Sequence, residues 1–317
     1  MSIFSENLAL TRSLLSLEGK SFLITGGSGK LAHAFYSAIR NHVPGAQVKL
    51  TTKDELNIEE PNSFIKYNGY SPDYILHCAA HVNADFCETN FLEAKKNIVD
   101  GTRNVAKFAQ DSGSQLLYPQ SFLIYDGKVD PVDENTLPNP LSNYGKLKVE
   151  AEYVVQQHFA SLIIRMGGFF GGGARDSNFV GKFTNQIKIF LAEGQSKIEV
   201  GDRTWQPTYV KDLAENSLLL MALEKSGTYN MAGHKKATFF EIAQFMVSKL
   251  RLEEKLQVIE MPSDKSKFLD VAVRPASINM MNKRLESELL DFQRDWRISL
   301  DEYMDSHEYT SINSFNV

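Results

Sequence analysis

Short apolar runs alternate with longer amphipathic segments through the first half of the chain. The predicted strands are the apolar runs at 21–25, 47–51, 73–79, 115–121 and 161–166. The segments between them place apolar residues three and four positions apart, as in a helix with one buried face, and lie at 31–41, 60–69, 90–111 and 142–159. Such alternation predicts a parallel sheet covered by helices on both faces, with right-handed crossovers. The predicted fold class is therefore α/β with a doubly wound parallel sheet.

The pattern changes after residue 165. A glycine-rich loop follows, and the predicted helices are separated by irregular segments with fewer clear strands. The loop is 167–179 and the helices are 178–193, 210–223 and 238–250. We therefore predict a first domain over 1–164, in which 1–19 is an N-terminal extension with a short amphipathic helix. The remainder, 165–317, is predicted to be mainly a smaller substrate-binding lobe that is interleaved with the first domain.

Composition excludes several classes of function. Hydrophobic residues make up 43% of the 317 residues and charged residues 23%, which is typical of a globular chain with a large core. The net charge of −5 argues against a nucleic-acid partner, since phosphate binding needs clustered lysine and arginine. The two cysteines, Cys78 and Cys87, predict neither a disulfide framework nor a metal site and indicate a reducing, cytoplasmic compartment. No apolar stretch approaches the roughly eighteen residues of a membrane span.

Residues 21–40, SFLITGGSGKLAHAFYSAIR, have the order strand, glycine turn and helix. Gly26 permits the tight turn, Gly29 allows a pyrophosphate to approach closely, and the small Ala32 lets the helix pack against the strand. The helix N-terminus offers main-chain N–H groups and partial positive charge to the phosphates. Because the motif follows the first strand and opens a helix, it predicts a dinucleotide-binding domain of the Rossmann type.

The end of the second strand bears on the choice of dinucleotide. An acidic residue there would hold the ribose 2′-hydroxyl of NAD and repel the additional phosphate of NADP. Thr51 and Thr52 occupy this place, and Lys53 follows them. The sequence therefore favours NADP(H). NAD(H) stays open, because Asp54 could turn into the acidic role.

The glycine turn and four later motifs have the order and spacing found in extended short-chain dehydrogenases/reductases. These motifs are HCAAHVNADFCE (77–88), NIVDGTRNVAKFA (97–109), PQSFLIYDG (119–127) and NPLSNYGKLKVEAE (139–152). Within this class the chain most resembles the dTDP-4-dehydrorhamnose reductase family. The features that carry this resemblance are YDG (125–127), SNF (177–179), WQPTYVKDLA (205–214) and VRPASINMMNKRL (273–285).

The resemblance implies a catalytic group of four residues. Tyr144 would protonate the substrate carbonyl oxygen as hydride arrives. Lys148, four positions later on the same helical face, would bind the nicotinamide ribose and lower the pKa of the tyrosine. Ser121 would hydrogen-bond the same carbonyl oxygen, and Asn97 would support a water-linked proton path.

The resemblance also implies two sets of binding residues. For the cofactor these are Gly26, Gly29, Lys30, Leu31, Thr52, Lys53, Asn57, Cys78, Ala79 and Ala80, together with Tyr144 and Lys148. For the substrate they are His81, Ser121, Phe122, Gly168, Asn178, Phe179 and Arg274. The expected partners are a nucleotide-sugar substrate and, as one option, a second copy of the chain in a homodimer. No residue is assigned to a metal.

Two departures from the family pattern fall in the expected substrate pocket. Gly168 stands where rhamnose-forming reductases typically carry a tryptophan near the sugar, and Phe122 stands where they usually carry aspartate. We expect Gly168 to leave room beside the sugar. The sugar can therefore differ from the rhamnose precursor, whereas the proton donor is unaffected.

The leading hypothesis is NADP(H)-dependent reduction of the 4-keto group of a nucleotide-linked deoxysugar. One alternative is an NAD-dependent nucleotide-sugar epimerase or dehydratase. A dehydratase would need an acid–base pair beside the serine, which Phe122 and Leu123 do not supply. The other alternative is a non-catalytic regulatory subunit like that of methionine adenosyltransferase, which has the same fold. The presence of Ser121, Tyr144 and Lys148 favours an enzyme.

Overall fold

The computed structural model describes residues 2–4, 8–158, 160–261 and 271–311. In these ranges the strands are β1 Ser21–Thr25, β2 Gln47–Thr51, β3 Tyr74–His77, β4 Gln115–Ser121, β5 Ser161–Met166, β6 Phe169–Phe170, β7 Lys197–Gly201, β8 Thr204–Trp205, β9 Thr208–Tyr209, β10 Gly227–Met231, β11 Ala237–Thr238 and β12 Gln257–Met261. The α-helices are α1 Leu8–Ser13, α2 Lys30–His42, α3 Ala84–Thr89, α4 Phe91–Lys95, α5 Gly101–Ser112, α6 Asn143–Gln156, α7 Phe179–Ala192, α8 Val210–Ala222, α9 Phe239–Lys249, α10 Lys283–Ser287, α11 Trp296–Asp305 and α12 His307–Thr310. Shorter 3₁₀ segments lie at Leu14–Leu17, Pro61–Tyr67, Phe122–Ile124 and Gly173–Arg175, and one π-helical segment at Lys96–Asp100. Residues 1 and 5–7 of the predicted extension, and residue 159 at the end of the predicted helix 142–159, lie outside the described residues.

A parallel sheet of six strands in the order β10-β5-β4-β3-β1-β2 forms the centre of the molecule. The chain runs outward from β1 to β2 and then returns to β3 on the other side of β1. This reversal of direction is the doubly wound topology, so the predicted fold class is confirmed. All five predicted strands are present, each within two residues of its predicted ends.

The sixth strand of this sheet, β10, comes from the C-terminal half and pairs in parallel with β5. The helix before it, α8, packs against α2 on one face of the sheet, where Phe35 and Leu218 share an apolar cluster. Helices α5 and α6 cover the opposite face through a second cluster that contains Val105 and Leu147. The C-terminal half therefore contributes one strand and one covering helix to the central sheet.

Two predicted helices differ from a regular α-helix. The predicted segment 60–69 is a 3₁₀ turn, because Pro61 opens it and Gly69, with φ +80°, ends it after two turns. The predicted segment 90–111 is divided into α4 and α5 by the π-helical segment Lys96–Asp100, which carries Asn97.

A separate apolar cluster holds the remaining lobe together. Phe183 from α7, Met246 from α9 and Trp296 from α11 are buried in it, together with Ile198 from β7. Among the described residues, no helix combines the length and apolar character that crossing a membrane requires. The lobe and the sheet meet at the carboxyl edge of the sheet. Several of the predicted site residues lie there, at or just after the ends of the strands.

Candidate functional site

The glycine turn after β1 fits a dinucleotide. Gly26 has φ +72°, a conformation that favours glycine, and a Cβ there would lie 2.7 Å from the main-chain nitrogen of Ala79. The N–H of Gly29 donates to the carbonyl oxygen of Gly26 at 2.9 Å, which closes the turn. Helix α2 then begins at Lys30 without a side-chain cap at Gly29. Its first N–H groups can therefore receive a pyrophosphate at the turn.

The residues after β3 form the wall of this turn. Cys78, Ala79 and Ala80 follow β3 directly, and the N–H of Ala79 donates to the Thr25 hydroxyl at 3.1 Å. Leu31, in contrast, is buried in the apolar cluster between α2 and the sheet. Its predicted cofactor role is therefore confined to its main chain at the start of α2.

Ser121 and Tyr144 meet because β4 and α6 approach closely at the carboxyl edge of the sheet. Ser121 ends β4, and Tyr144 is the second residue of α6. Gly145 makes this approach feasible, since a Cβ there would overlap the carbonyl oxygen of Leu123 and lie 2.7 Å from Pro140 Cβ. A hydrogen bond with Ser121 lowers the pKa of Tyr144 against the larger, opposite effect of burial.

Burial is the largest influence on the pKa values of both Tyr144 and Lys148. It raises the pKa of Tyr144 to about 12. Lys148 is itself buried, which lowers its pKa to about 7. Its Nζ donates to the carbonyl oxygen of Pro119 at 2.8 Å and lies 4.0 Å from the ring centroid of Tyr118. β4 therefore holds the ammonium in this arrangement, and the lowering of the tyrosine pKa by Lys148 stays a prediction.

Asn97 holds the loop after β3 in place. Its Oδ1 accepts a hydrogen bond from the N–H of His81 at 2.7 Å, and its Nδ2 donates to Glu59 Oε1 at 2.8 Å. The His81 ring packs on Phe86, with 4.9 Å between the ring centroids. These contacts assign both side chains to shaping the site. The water-linked proton path through Asn97 stays a prediction.

The side chains after β2 are engaged by two carboxylates. Thr52 donates to Glu55 Oε2 through its N–H at 2.9 Å and through its hydroxyl at 3.1 Å. Lys53, largely exposed, pairs with Glu59 Oε1 at 2.9 Å. Asn57 accepts from the N–H of Glu59 and shapes the turn that carries this carboxylate. The sequence does not single out Glu55 and Glu59, and each contacts a residue that it predicts to bind the cofactor.

The side chain of Lys30 points away from the glycine turn and contacts the glycine-rich loop. Its Nζ pairs with Asp176 Oδ1 at 2.7 Å and donates to the carbonyl oxygen of Phe169 at 3.0 Å. Gly172 makes room for this side chain, since a Cβ there would lie 2.7 Å from the Lys30 Cβ. The ammonium therefore ties α2 to the glycine-rich loop, and only the main chain of Lys30 remains at the glycine turn.

A cavity of about 270 Å³ opens between the sheet edge and the C-terminal lobe. Its lining includes five aromatic side chains, which suit the flat faces of a sugar ring or base. The lining includes the predicted substrate residues Phe122, Gly168, Asn178, Phe179 and Arg274, and also Leu123, Arg203, Trp205 and Phe239. Ser121 adjoins the cavity through Phe122, whereas His81 is not part of the lining.

Three of the predicted substrate residues also hold the cavity walls in place. Asn178 caps α7 by accepting from the N–H of Gly181 at 3.2 Å. Phe179 stacks on Phe239 with 4.3 Å between ring centroids and an interplanar angle of 4°. Arg274 pairs with Asp85 at 3.2 Å, which connects the cavity to α3. Arg203 is a second arginine in this lining, which is otherwise mostly apolar.

The expected space beside Gly168 is filled by Trp205. A Cβ at Gly168 would overlap the indole nitrogen of Trp205, so the indole lies directly against the glycine. Trp205 reaches this position from β8, which pairs with β11. The expectation that Gly168 leaves room is therefore wrong. A tryptophan does lie beside Gly168 in the cavity. It is Trp205, which comes 37 residues later in the chain.

We expect Gly168→Trp alone to destabilise the protein, because two indoles would compete for one space. Overpacking of this kind costs about 1–3 kcal/mol. Adding Trp205→Gly to the same protein should recover most of that loss. Unfolding free energies of the four proteins in a double-mutant cycle measure this coupling. Additive losses would contradict direct packing of Trp205 on Gly168.

The sheet topology, the glycine turn and the Ser121–Tyr144–Lys148 group define an extended short-chain dehydrogenase/reductase. This is the class predicted from the motifs, an NAD(P)-dependent oxidoreductase type. The family model described as RmlD substrate binding domain matches residues 20–309. The chain belongs to this family.

Individual relatives point to two kinds of protein. The chain is 28% identical over 253 residues to methionine adenosyltransferase 2 subunit beta of Bos taurus, which covers 74% of this chain and 73% of that protein. It is similar to the structure of a dTDP-4-dehydrorhamnose reductase from Clostridium acetobutylicum, with 26% identity, a TM-score of 0.80 and coverage of 90% of this chain and 98% of that chain. The dTDP-4-dehydrorhamnose reductase from Bacillus anthracis, solved in complex with NADP, gives 25% identity, a TM-score of 0.79 and the same coverage. The predicted resemblance is therefore confirmed.

Proposed function

We propose that the protein reduces the 4-keto group of a nucleotide-linked deoxysugar with NADP(H). The observation that carries this proposal is the convergence of Ser121, Tyr144 and Lys148 at one edge of the sheet, between the glycine turn and the aromatic cavity. The likeness to dTDP-4-dehydrorhamnose reductases, one of them in complex with NADP, supports it. When bound, the nicotinamide cofactor supplies the hydride.

The side chains of this protein would supply the proton and the orientation. Burial keeps Tyr144 protonated at neutral pH, so it is in the form that donates. Ser121, which lies close enough to lower the pKa of Tyr144, would direct the carbonyl oxygen toward that proton. Phe122 and Leu123 line the cavity beside the serine and carry no acid or base. This apolar wall favours reduction over dehydration and helps to exclude water.

The arginines of the cavity support a nucleotide-linked substrate. Arg203 and Arg274 lie in the same lining as the aromatic side chains. A guanidinium suits a diphosphate, and an aromatic face suits a base or a sugar. A nucleotide sugar carries all of these groups, which is why we favour this class of substrate over a free sugar.

We expect NADPH to bind more tightly than NADH. The charges after β2 should set this preference, which is the ratio of the two dissociation constants. Lys53→Glu should narrow or reverse the preference, because a carboxylate would face the additional phosphate. Glu55→Gln should widen it, because it removes a negative charge beside Thr52 and keeps an acceptor for the threonine. Each change is expected to be about two- to fivefold at this exposed position.

Calorimetric titration of both dinucleotides against the three proteins measures these preferences. Lys197→Glu, at an exposed position of β7, is a control for net charge. A clear preference of the wild type for NADH, unchanged by Lys53→Glu, would contradict the assignment of Lys53 to the phosphate.

A second candidate function is that of a regulatory subunit. The observation that favours it is the 28% identity to methionine adenosyltransferase 2 subunit beta of Bos taurus. In this case the protein would bind a methionine adenosyltransferase catalytic subunit and alter its activity. Co-elution of the two proteins at micromolar concentration, with altered adenosyltransferase kinetics, would support this candidate.

A screen of nucleotide-linked 4-keto sugars with NADPH separates the two candidates. Loss of the nicotinamide absorbance that depends on both the sugar and the protein would support the reductase. NADPH binding without oxidation by any such sugar, combined with co-elution with the adenosyltransferase, would favour the regulatory subunit.

A further inference from the structure

The side chain of Gln120 connects the two elements that carry the proposed catalytic residues. Gln120 precedes Ser121 in β4 and is completely buried. Its Oε1 accepts a hydrogen bond from the N–H of Ser121 at 2.8 Å. Its Nε2 donates to the carbonyl oxygen of Lys148 at 2.9 Å and to Glu152 Oε2 at 2.7 Å. One amide group therefore joins the main chain of the serine to the main chain of the lysine.

The bond to Lys148 is not needed to complete the helix. Within α6 the carbonyl oxygen of Lys148 already accepts the N–H of the residue four positions later, Glu152. Gln120 occupies the second lone pair of this oxygen. An additional, directional bond at a satisfied carbonyl fixes where the helix lies rather than whether it forms. An amide with both its hydrogens and its oxygen engaged also has one preferred orientation.

Neighbouring residues of β4 hold the other end of the same lysine. The Lys148 ammonium donates to the carbonyl oxygen of Pro119 and lies over the ring of Tyr118. Tyr118, Pro119 and Gln120 thus contact Lys148 at its ammonium and at its main chain. β4 thereby determines the position of Lys148, and the next residue of β4 is Ser121.

Charged and titratable groups surround this connection from every packed element. Glu152 is held on its other side by Arg165, at 2.6 Å between Arg165 Nη2 and Glu152 Oε1. Glu152 raises the pKa of Lys148 against the larger lowering by burial. The titratable groups near the connection are Tyr144, Lys148 and Glu152 from α6, His77 and Cys78 from the end of β3, Tyr118 from β4 and Arg165 from β5.

We infer that Gln120 is a positioning residue that fixes Lys148 and Ser121 relative to each other for binding of the cofactor and the carbonyl group. The inference rests on the proposed function, because it takes Lys148 as the ribose-binding residue. Gln120 would not touch the cofactor or the substrate itself. Its effect would therefore appear in the cofactor affinity, which can be measured without a sugar.

Two variants of Gln120 and one matched control test this inference. Gln120→Met keeps the length of the side chain and removes all three hydrogen bonds. Gln115→Met makes the same change at the other end of β4, where the amide donates to the carbonyl oxygen of Lys225 at 2.8 Å. We expect Gln120→Met to bind NADPH about three- to tenfold more weakly than the wild type, which is the range of one or two hydrogen bonds. Gln115→Met should lose stability and keep its NADPH affinity.

Gln120→Glu adds a readout that a purely structural role would not move. The introduced carboxyl group would lie against Glu152, so one proton is favoured between the two groups. With that proton present, the new side chain can donate to Glu152 and accept from the N–H of Ser121. We therefore expect NADPH affinity relative to the wild type to be partly restored at low pH, since the hydrogen bond to the Lys148 carbonyl oxygen is still missing, and to fall as the pH rises and the proton leaves.

The outcomes separate the inference from the proposed function. NADPH affinity within twofold of the wild type in both Gln120 variants, with a stability loss like that of Gln115→Met, would overturn the inference. Weaker NADPH binding in the Gln120 variants would support it even if no nucleotide-linked keto sugar is reduced, in which case the proposed reaction alone fails. A wild-type protein that binds neither NADPH nor NADH would overturn both.

Discussion

Tyr144→Phe is expected to lower the turnover of a nucleotide-linked 4-keto sugar by about 10²–10⁴-fold, the usual contribution of a general acid. The substitution removes the phenolic proton beside Ser121 with almost no change in volume. The ring remains part of the apolar cluster under α6, so the fold and the affinity for NADPH should be retained. Steady-state turnover and calorimetric NADPH titration on the same preparation measure the two expectations together.

Tyr153→Phe is the matched control for this variant. It makes the same chemical change on the same helix, but Tyr153 is exposed and outside the site. Its turnover should equal that of the wild type. Wild-type turnover in Tyr144→Phe would contradict the assignment of the proton donor, and an equal loss in both variants would point to a general effect on α6.

Arg165→Met is expected to reduce the free energy of unfolding by about 3–5 kcal/mol, the cost of removing one partner from a buried ion pair. The side chains of Arg165 and Glu152 are only 6% and 4% exposed, so water cannot replace the lost partner. Arg165 also donates to the Tyr125 hydroxyl at 2.9 Å and to the carbonyl oxygen of Glu134 at 3.1 Å. The substitution therefore leaves a buried carboxylate without its cationic partner and two further acceptors without the donor that Arg165 supplies.

Lys107→Met is the control for the loss of an exposed ion pair. Lys107 pairs with Asp111 one turn along α5, and both side chains are mostly exposed. Lys107→Met should lower the free energy of unfolding by at most about 1 kcal/mol. Urea denaturation of the three proteins provides the comparison. An Arg165→Met loss no larger than that of Lys107→Met would show that the Glu152–Arg165 pair is not a main support of the site.

Four of the first five strands could be predicted because each is a short apolar run that is mostly buried, and β2 could be predicted because its apolar residues alternate with exposed ones. β10 could not, since GTYNM has little apolar character and is a strand only through its pairing with β5. Its partner lies more than sixty residues earlier in the chain, and local periodicity does not report such pairing. For the same reason, the packing of α8 on the central sheet could be predicted only as a general interleaving of the two halves of the chain.

Candidate site residues that lie in a local motif could be predicted. Residues whose role depends on contacts between distant segments of the chain could not. Gly26, Ser121, Tyr144 and Lys148 lie in compact motifs with a recognisable order. Trp205 fills the space at Gly168 through a contact between distant segments, so the glycine was interpreted as an opening. Gln120 was read only as part of its motif, because its role depends on hydrogen bonds to a helix 28 residues later.

Transfer of deuterium from NADPH tests the central claim most directly. The wild type would be incubated with NADPH deuterated at the transferable position and with the keto sugar that oxidises it, and the product analysed by mass spectrometry and NMR. We expect one deuterium on carbon 4 of the sugar for each NADPH consumed, and a rate that falls with Tyr144→Phe. Oxidation of NADPH without deuterium at that carbon, or no oxidation by any nucleotide-linked 4-keto sugar, would contradict the account.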